Sequence, residues 1–199
     1  MTPVRRLAIA SPAGRRSAPG RRNRVRIIAG EWRSRLVEFP DAPGLRPTPD
    51  RVRETLFNWL GQHLDGLSCL DLFAGSGALG FEALSRGAKR VVMVERERAA
   101  LEGLRESSAR LGARNLEIVA ADALRFLERP GERFDVAFVD PPYSENLVTR
   151  VLDRLPPRLN AGARVYAESA GRIALEAPWK KLREDRAGAV HYSLYEYNP

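Results

Sequence analysis

Leu70-Asp71-Leu72-Phe73-Ala74-Gly75-Ser76-Gly77 is the stretch that decides the fold of this chain, and Val139-Asp140-Pro141-Pro142-Tyr143 follows the same pattern about seventy residues later. Each is an apolar run that predicts a buried strand and then breaks abruptly into residues able to contact a ligand. Open α/β sheets bind their ligands at the carboxyl ends of parallel strands. The two stretches therefore predict an α/β protein whose binding site lies where these strands end.

Apolar runs alternate with helical patterns after residue 67, which is typical of a parallel α/β sheet. Five runs predict strands, at residues 68–73, 90–94, 116–119, 136–139 and 163–168. The segments between them predict helices, at residues 78–86, 99–111, 123–127 and 146–155. Residues 182–186 and 190–197 flank Gly188-Ala189 and predict an antiparallel hairpin at one sheet edge. We expect a mostly parallel, seven-stranded, Rossmann-like sheet that ends in this hairpin.

A small N-terminal extension is predicted before the main sheet. Residues 25–39 contain two β-prone runs around Gly30-Glu31, which indicates a hairpin, and Arg26, Arg33 and Arg35 give it a basic surface. A helix follows to about residue 60, with Thr48 as the predicted N-cap and Pro49 at the first helical position.

Composition favours a single domain. The chain has 199 residues, 44% hydrophobic and 29% charged, which is long enough for one well-packed core. Its one cysteine, Cys69, lies in an apolar run and is predicted to be a buried core residue. No apolar stretch approaches the roughly 20 residues of a membrane span, and residues 1–24 lack a secretory apolar run. We expect a soluble cytoplasmic protein.

The positive charge is concentrated in residues 1–24, which hold seven arginines and no acid, out of a net charge of +8. Prolines, glycines and few large apolar residues predict that this tail is disordered in isolation. It is either a basic arm that lies along nucleic-acid phosphates or a solvated extension. A transit peptide is disfavoured because the prolines and glycines would break its amphipathic helix.

The glycine loop Gly75-Ser76-Gly77-Ala78-Leu79-Gly80 and Glu95 after the next strand satisfy a dinucleotide-binding fingerprint. Glu95 could accept hydrogen bonds from ribose hydroxyls. Asp71 would repel a pyrophosphate but attract the ammonium group of S-adenosylmethionine, which favours that cofactor. Asp122 lies where an acceptor could meet an adenine amine, with Ala123 beside it, although either aspartate could also be a helix or turn cap.

The segment Asp140-Pro141-Pro142-Tyr143 predicts a clamp for a planar amino group. An exocyclic amino nitrogen is a poor nucleophile because its lone pair is delocalised into the ring. The Asp140 carboxylate and the Pro141 carbonyl could each accept one of its hydrogens, held by a turn that the prolines stiffen. Tyr143 would stack on the base. The chemistry requires alignment and oriented dipoles, and no metal.

The chain resembles the RsmD family of bacterial 16S ribosomal RNA guanine-N2 methyltransferases, of the class I S-adenosylmethionine-dependent fold, across residues 25–199. The resemblance rests on 26–30, 46–48, 50–58 and 73–87 and on the Asp140 to Tyr143 clamp. The block from Arg46 to Asn58 is the most specific to the family. The Arg-rich tail departs from typical members.

The resemblance implies methylation of one guanine in 16S rRNA, within an assembling or assembled small ribosomal subunit, by an enzyme expected to be a monomer. It implies that 63–199 form the methyltransferase domain after an extension of 25–62. The implied cofactor contacts are Thr48, Asp71, Phe73, Ala74, Gly75, Gly77, Glu95, Asp122 and Ala123. The implied RNA contacts are Arg26, Arg33, Arg35, Arg46, Arg51 and Arg53.

Three alternatives remain open on the residues. A nicotinamide-dependent oxidoreductase would share the glycine loop but would leave Asp71 and the proline clamp without a role. A non-catalytic RNA-binding protein would not need the acidic trio Asp71, Glu95 and Asp122. An amino-methyltransferase acting on DNA adenine or on a protein glutamine would use the same clamp, and the Arg46 to Asn58 block disfavours it.

Overall fold

The structure, a computed structural model, describes residues 22–41, 47–142 and 147–199. These residues form nine strands: β1 Arg22–Arg26, β2 Leu36–Pro40, β3 Ser68–Asp71, β4 Arg90–Glu95, β5 Leu116–Ala120, β6 Phe134–Val139, β7 Leu159–Ser169, β8 Trp179–Ala187 and β9 Val190–Tyr197. The α-helices are α1 Asp50–Leu60, α2 Ala78–Ser85, α3 Arg98–Leu111, α4 Ala123–Leu127 and α5 Leu147–Arg154. A short 3₁₀ turn, Pro156–Arg158, precedes β7.

The main sheet has seven strands in the order β5-β4-β3-β6-β7-β9-β8. The first five positions are parallel, whereas β9 runs antiparallel between β7 and β8. The predicted fold class and the C-terminal hairpin at the sheet edge are therefore confirmed. The chain order reverses between β3 and β6, which is where ligands bind in open parallel sheets.

Helices cover both faces of this sheet. One apolar cluster joins residues of α1, α2 and α3 to one face of the sheet, and the β1–β2 hairpin packs into the same cluster. A second cluster joins α4 and α5 to the other face. Cys69 is buried in the first cluster, as predicted. Because the hairpin shares a core with the main sheet, it is positioned rigidly against it.

Three differences from the sequence predictions concern the N-terminal extension. Strand β1 begins at Arg22, so residues 22–24 belong to the hairpin and not to the tail. The rest of the predicted tail lies outside the described residues. The predictions that Thr48 caps α1 and that Pro49 is its first helical residue are both wrong, because Pro49 occupies the N-cap position and makes no side-chain capping bond. Within the described part of the chain, no helix is long and apolar enough to span a membrane.

Candidate active site

Acidic residues lie at the carboxyl ends of five neighbouring strands. Asp71 ends β3, Glu95 ends β4, Asp122 follows β5, Asp140 follows β6 and Glu168 lies near the end of β7. Since these strands are adjacent and parallel, their carboxyl groups share one edge of the sheet. The structure thus brings together the four acidic residues that the sequence predicted and adds Glu168.

Glu95 is bonded to the glycine loop. Its Oε2 accepts a hydrogen bond from the Gly75 amide at 2.8 Å, and its Oε1 accepts from the amides of Arg96 and Glu97 at 2.7 and 2.8 Å. Gly77 has a φ of +79°, and a Cβ there would lie 2.6 Å from side chains of the core. The loop can therefore turn sharply after β3 only because glycine occupies this position.

Asp71 is buried beneath this loop, with 2% of its surface exposed. Its Oδ2 accepts a hydrogen bond from the Gly80 amide at 3.1 Å, which ties the start of α2 to the end of β3. Burial, followed by the nearby Asp140 charge, raises the pKa of Asp71 to about 7. Asp71 thus supports the loop in this structure, and its contact with a cofactor remains a prediction.

Asp122 is the N-cap of α4. Its Oδ1 accepts hydrogen bonds from the amides of Leu124 and Arg125 at 3.0 and 3.2 Å, while Oδ2 lies 3.8 Å from Arg96 Nη1. Ala123 is buried beside it. The capping role, which the sequence left open, is present, and both capping bonds go to Oδ1.

The acceptors at this edge fit S-adenosylmethionine. Asp71, Glu95 and Asp122 follow three adjacent strands, and the ammonium group, the ribose hydroxyls and the adenine amine of that cofactor are all hydrogen-bond donors. Phe73 and Ala74, both predicted contacts, lie between Asp71 and the glycine loop. A pyrophosphate would meet carboxylates here, so the residues suit the methyl donor better than a dinucleotide.

Asp140 lies next to these three acids, because it follows the strand beside the one that ends at Asp71. The Thr48 hydroxyl donates a hydrogen bond to Asp140 Oδ2 at 3.1 Å, so Thr48 contacts the clamp and not the helix that follows it. Burial raises the pKa of Asp140 to about 6, although the donors Thr48 and Glu168 lower it in part. Pro141 is buried and Pro142 is exposed, while Tyr143 lies outside the described residues.

Glu168 and Tyr166 were missed by the sequence interpretation. Glu168 is 7% exposed, and its Oε1 accepts a hydrogen bond from the Tyr166 hydroxyl at 2.5 Å. Burial and the Asp140 charge raise the pKa of Glu168 to about 8. A signal was available, since the strand predicted at 163–168 ends on this acid beside the strand that leads to Asp140.

The prediction that Arg53 contacts RNA is wrong, because its side chain is fully buried. Its guanidinium group bonds to Glu82 at 3.3 Å and to Asp50 at 2.6 Å, and Nε donates to the Thr48 carbonyl at 3.1 Å. Arg53 therefore holds the segment that carries Thr48 in place.

The other predicted RNA contacts separate into two groups. Arg26 is 59% exposed and pairs with Asp50, and Arg51 is exposed at the first turn of α1, so both lie on the side of Thr48. Arg35 instead donates to carbonyls at the end of α3, and Arg33 lies in the turn that packs on the end of α2. These two arginines are not brought to the edge that carries Asp140. Arg46 lies outside the described residues.

The sheet topology and the acidic edge define a class I, S-adenosylmethionine-dependent methyltransferase. Residues 25–196 match the family described as "Conserved hypothetical protein 95". The chain belongs to this family, the RsmD family, as the sequence interpretation predicted. Among the described residues, no group of three or more His, Cys, Asp or Glu is arranged to hold a metal ion.

Related proteins cover nearly the whole chain. It is 45% identical over 177 residues to ribosomal RNA small subunit methyltransferase D of Escherichia coli strain K12, covering 86% of this chain and 89% of that protein. The protein of the same name from Haemophilus influenzae is 40% identical over 186 residues, covering 89% and 96%. A solved putative methyltransferase, yhhF of Escherichia coli, superposes with a TM-score of 0.80 at 43% identity, covering 88% and 99%.

Proposed function

We propose that this chain transfers a methyl group from S-adenosylmethionine to the exocyclic N2 of one guanine in 16S rRNA. The substrate would be an assembling or assembled small ribosomal subunit in the cytoplasm, and the enzyme would act as a monomer. The names of the relatives support ribosomal RNA of the small subunit as the substrate. The choice of N2 comes from the resemblance to guanine-N2 enzymes, because the clamp alone would serve other exocyclic amines as well.

One observation carries the proposal: the Asp140 carboxylate lies at the same sheet edge as the glycine loop, on the strand next to Asp71. S-adenosylmethionine, when bound, supplies a methyl group on a sulfonium centre. Asp140 would accept one hydrogen of the amino group and the Pro141 carbonyl the other, which directs the nitrogen lone pair at the methyl carbon. Tyr143 would stack on the base.

The exposed arginines near this edge would contact the RNA backbone. Arg26 and Arg51 lie beside the segment that carries Thr48, and the basic tail precedes the same hairpin. Contacts between arginine and phosphate give affinity without sequence readout and weaken as salt rises. They favour a nucleic acid over a protein glutamine as the methyl acceptor, while DNA adenine remains the rival substrate.

Labelled methyl transfer tests the substrate directly. Unmodified small subunits, protein-free 16S RNA and DNA should be offered in parallel with S-adenosylmethionine, and the modified base identified. We expect label in N2-methylguanine of the RNA-containing substrates. Label in DNA adenine, or in no nucleic acid, would overturn the proposal.

Asp140→Ala tests the clamp. We expect it to lower methyl transfer by about 10² to 10³ while cofactor affinity, measured by calorimetry, stays near that of the wild type, because an oriented contact in the transition state is lost. Asp153→Ala, on the exposed side of α5, is the matched control and should leave transfer unchanged. Near-normal turnover in Asp140→Ala would reject the clamp.

A further inference from the structure

Four polar side chains form a row behind the clamp, in which two hydrogen bonds flank a pair of adjacent carboxyl groups. The register that pairs Val139 with Ala167 places Asp140 and Glu168 side by side on β6 and β7. Tyr166 lies two residues before Glu168 on the same face, and its hydroxyl donates to Glu168 Oε1 at 2.5 Å. At the other end, Thr48 donates to Asp140 Oδ2 at 3.1 Å. The order of the side chains along this row is therefore Tyr166, Glu168, Asp140 and Thr48.

The two carboxyl groups in the middle of this row are placed to share one proton. Carboxylates held side by side away from water cannot both ionise readily, so one of them keeps a proton. Glu168 is buried whereas Asp140 keeps partial contact with solvent, so Glu168 is the partner that would keep the proton and offer it to Asp140. The pKa of about 8 for Glu168, above the value of about 6 for Asp140, agrees with this placement of the proton.

We propose that Glu168 is a positioning residue for Asp140: it holds the shared proton and donates it in a hydrogen bond, so that Asp140 stays ionised and correctly oriented to receive a substrate proton. This inference rests on the function proposed above. Sequence reasoning gave Glu168 no role, and a carboxyl that only stabilised the sheet would not need to face the catalytic aspartate.

The proton balance of the step follows from this arrangement. The amino nitrogen forms a bond to the methyl carbon as the bond from that carbon to sulfur breaks, and the electron pair of the broken bond stays on sulfur. The nitrogen, now positively charged, loses one proton to Asp140. The pair then holds two protons, and one leaves to solvent before the next cycle. Glu168 neither gains nor loses a proton overall.

Other ionisable groups face the pair from the neighbouring elements. Asp71 faces Asp140 from β3, and burial, followed by the Asp140 charge, raises the pKa of Asp71. Tyr166 stays neutral because burial and Glu168 raise its pKa. Tyr192 on β9 pairs with Glu168 in register, and its hydroxyl donates to Asp185. From the side of α1 the contact is the uncharged Thr48, whose carbonyl accepts from Arg53.

The pH dependence of methyl transfer distinguishes a positioning role from a structural one. With one proton on the pair, the wild-type rate should rise through about pH 6 and fall through about pH 8, as Asp140 and then Glu168 ionise. The fall should be about fivefold between about pH 8 and about pH 9. Glu168→Gln still donates to Asp140 and accepts from Tyr166 but cannot titrate, so the acid limb should remain and the alkaline fall should disappear.

Two further variants make the test specific. Tyr166→Phe removes a donor that lowers the pKa of Glu168, so its alkaline limb should move to higher pH. Glu196→Gln, a carboxyl on β9 that pairs with Arg164, is the matched control and should keep the wild-type profile. Thermal melting and cofactor binding check that each variant is folded.

The outcomes separate this inference from the proposed function. No transfer to RNA by the wild type at any pH overturns the function and the inference with it. If the wild type methylates RNA but Glu168→Gln keeps the alkaline fall in rate, the inference alone is overturned. Carbon NMR of the labelled carboxyl groups gives an independent reading: Glu168 should lose its proton at higher pH than Asp140, and the reverse order would also overturn it.

Discussion

Thr48 illustrates how a neighbouring side chain decides a residue's role. Its position just before α1 is typical of an N-cap, where its hydroxyl would accept from a backbone amide. In the structure the side chain is buried, and the hydroxyl instead donates to Asp140. A hydrogen bond to a carboxylate is stronger than one between neutral groups, so the helix end gives up its cap. The consequence is a direct link between α1 and the clamp.

Thr48→Val should move the acid limb of the pH profile for methyl transfer upward. The hydroxyl lowers the pKa of Asp140, so its removal raises that pKa, and the ionised acceptor is then lost at a higher pH. The expected displacement is up to about one pH unit, from the usual strength of a hydrogen bond to a charged group. Initial rates between about pH 5 and about pH 8 would measure it.

Thr149→Val, exposed on α5, serves as the control for that change because it removes an exposed hydroxyl other than the one that bonds to Asp140. Its acid limb should coincide with that of the wild type. A Thr48→Val profile that also coincides would show that the hydroxyl does not influence Asp140 during turnover.

The sequence predicted the acidic residues of the site better than it predicted their partners. Asp71, Glu95, Asp122 and Asp140 each follow a buried run, and strand ends can be read from periodicity alone. The burial of Arg53 could not be read in this way, because it depends on Glu82 arriving from another helix. Local pattern gives the edge of a sheet, while a hydrogen-bond partner distant in sequence requires the tertiary fold.

At the level of elements, the β1–β2 hairpin is joined to the end of α2. The Glu31 amide donates to the Ser85 carbonyl at 2.7 Å, and the Trp32 amide donates to Ser85 Oγ at 2.9 Å. Gly30, with a φ of +81°, makes this approach possible, because a Cβ there would lie 1.7 Å from the Ser85 carbonyl oxygen. Glu82 adds bonds to the amides of Ile28 and Ala29.

Gly30→Ala should therefore destabilise the protein by about 2 to 4 kcal/mol, since the added methyl must displace the hairpin from backbone that cannot yield. Gly188→Ala is a close comparison. Gly188 also has a positive φ, of +62°, but a Cβ there would meet nothing within 4 Å. Only the backbone penalty of about 1 kcal/mol applies to it. If urea denaturation showed that both variants lose the same free energy of unfolding, the role of Gly30 in docking the hairpin would be contradicted.

Element boundaries were predictable where apolar periodicity is regular. Helix α4 matches its prediction at both ends, whereas β7 begins at Leu159, four residues before the predicted strand. Leu159 at the start of β7 pairs with Phe134 of β6, and the register between the two strands then shifts before Val136. An irregularity of this kind breaks the alternation that a sequence-based prediction depends on.

At the level of the whole molecule, the site places three largely buried acids at one edge of the main sheet. The pKa is raised to about 7 for Asp71, about 6 for Asp140 and about 8 for Glu168, from ordinary values of 3.8, 3.8 and 4.5. A folded state with raised acid pKa values binds more protons than the unfolded chain over this range. The arrangement that suits methyl transfer thus makes the free energy of unfolding vary with pH near neutrality.

The free energy of unfolding without ligand should fall as pH rises from about 5 to about 8. Each of these acids stabilises the fold fully below its unfolded pKa and loses that contribution as pH passes its folded pKa, by at most about 1.4 kcal/mol per pH unit. Asp135 and Asp185 have lowered pKa values, so their contribution is lost only in acid, below this range. Urea denaturation across the range would measure the slope. Asp71→Asn, neutral at every pH, should reduce the fall, and an equally steep fall in that variant would contradict the account of its burial.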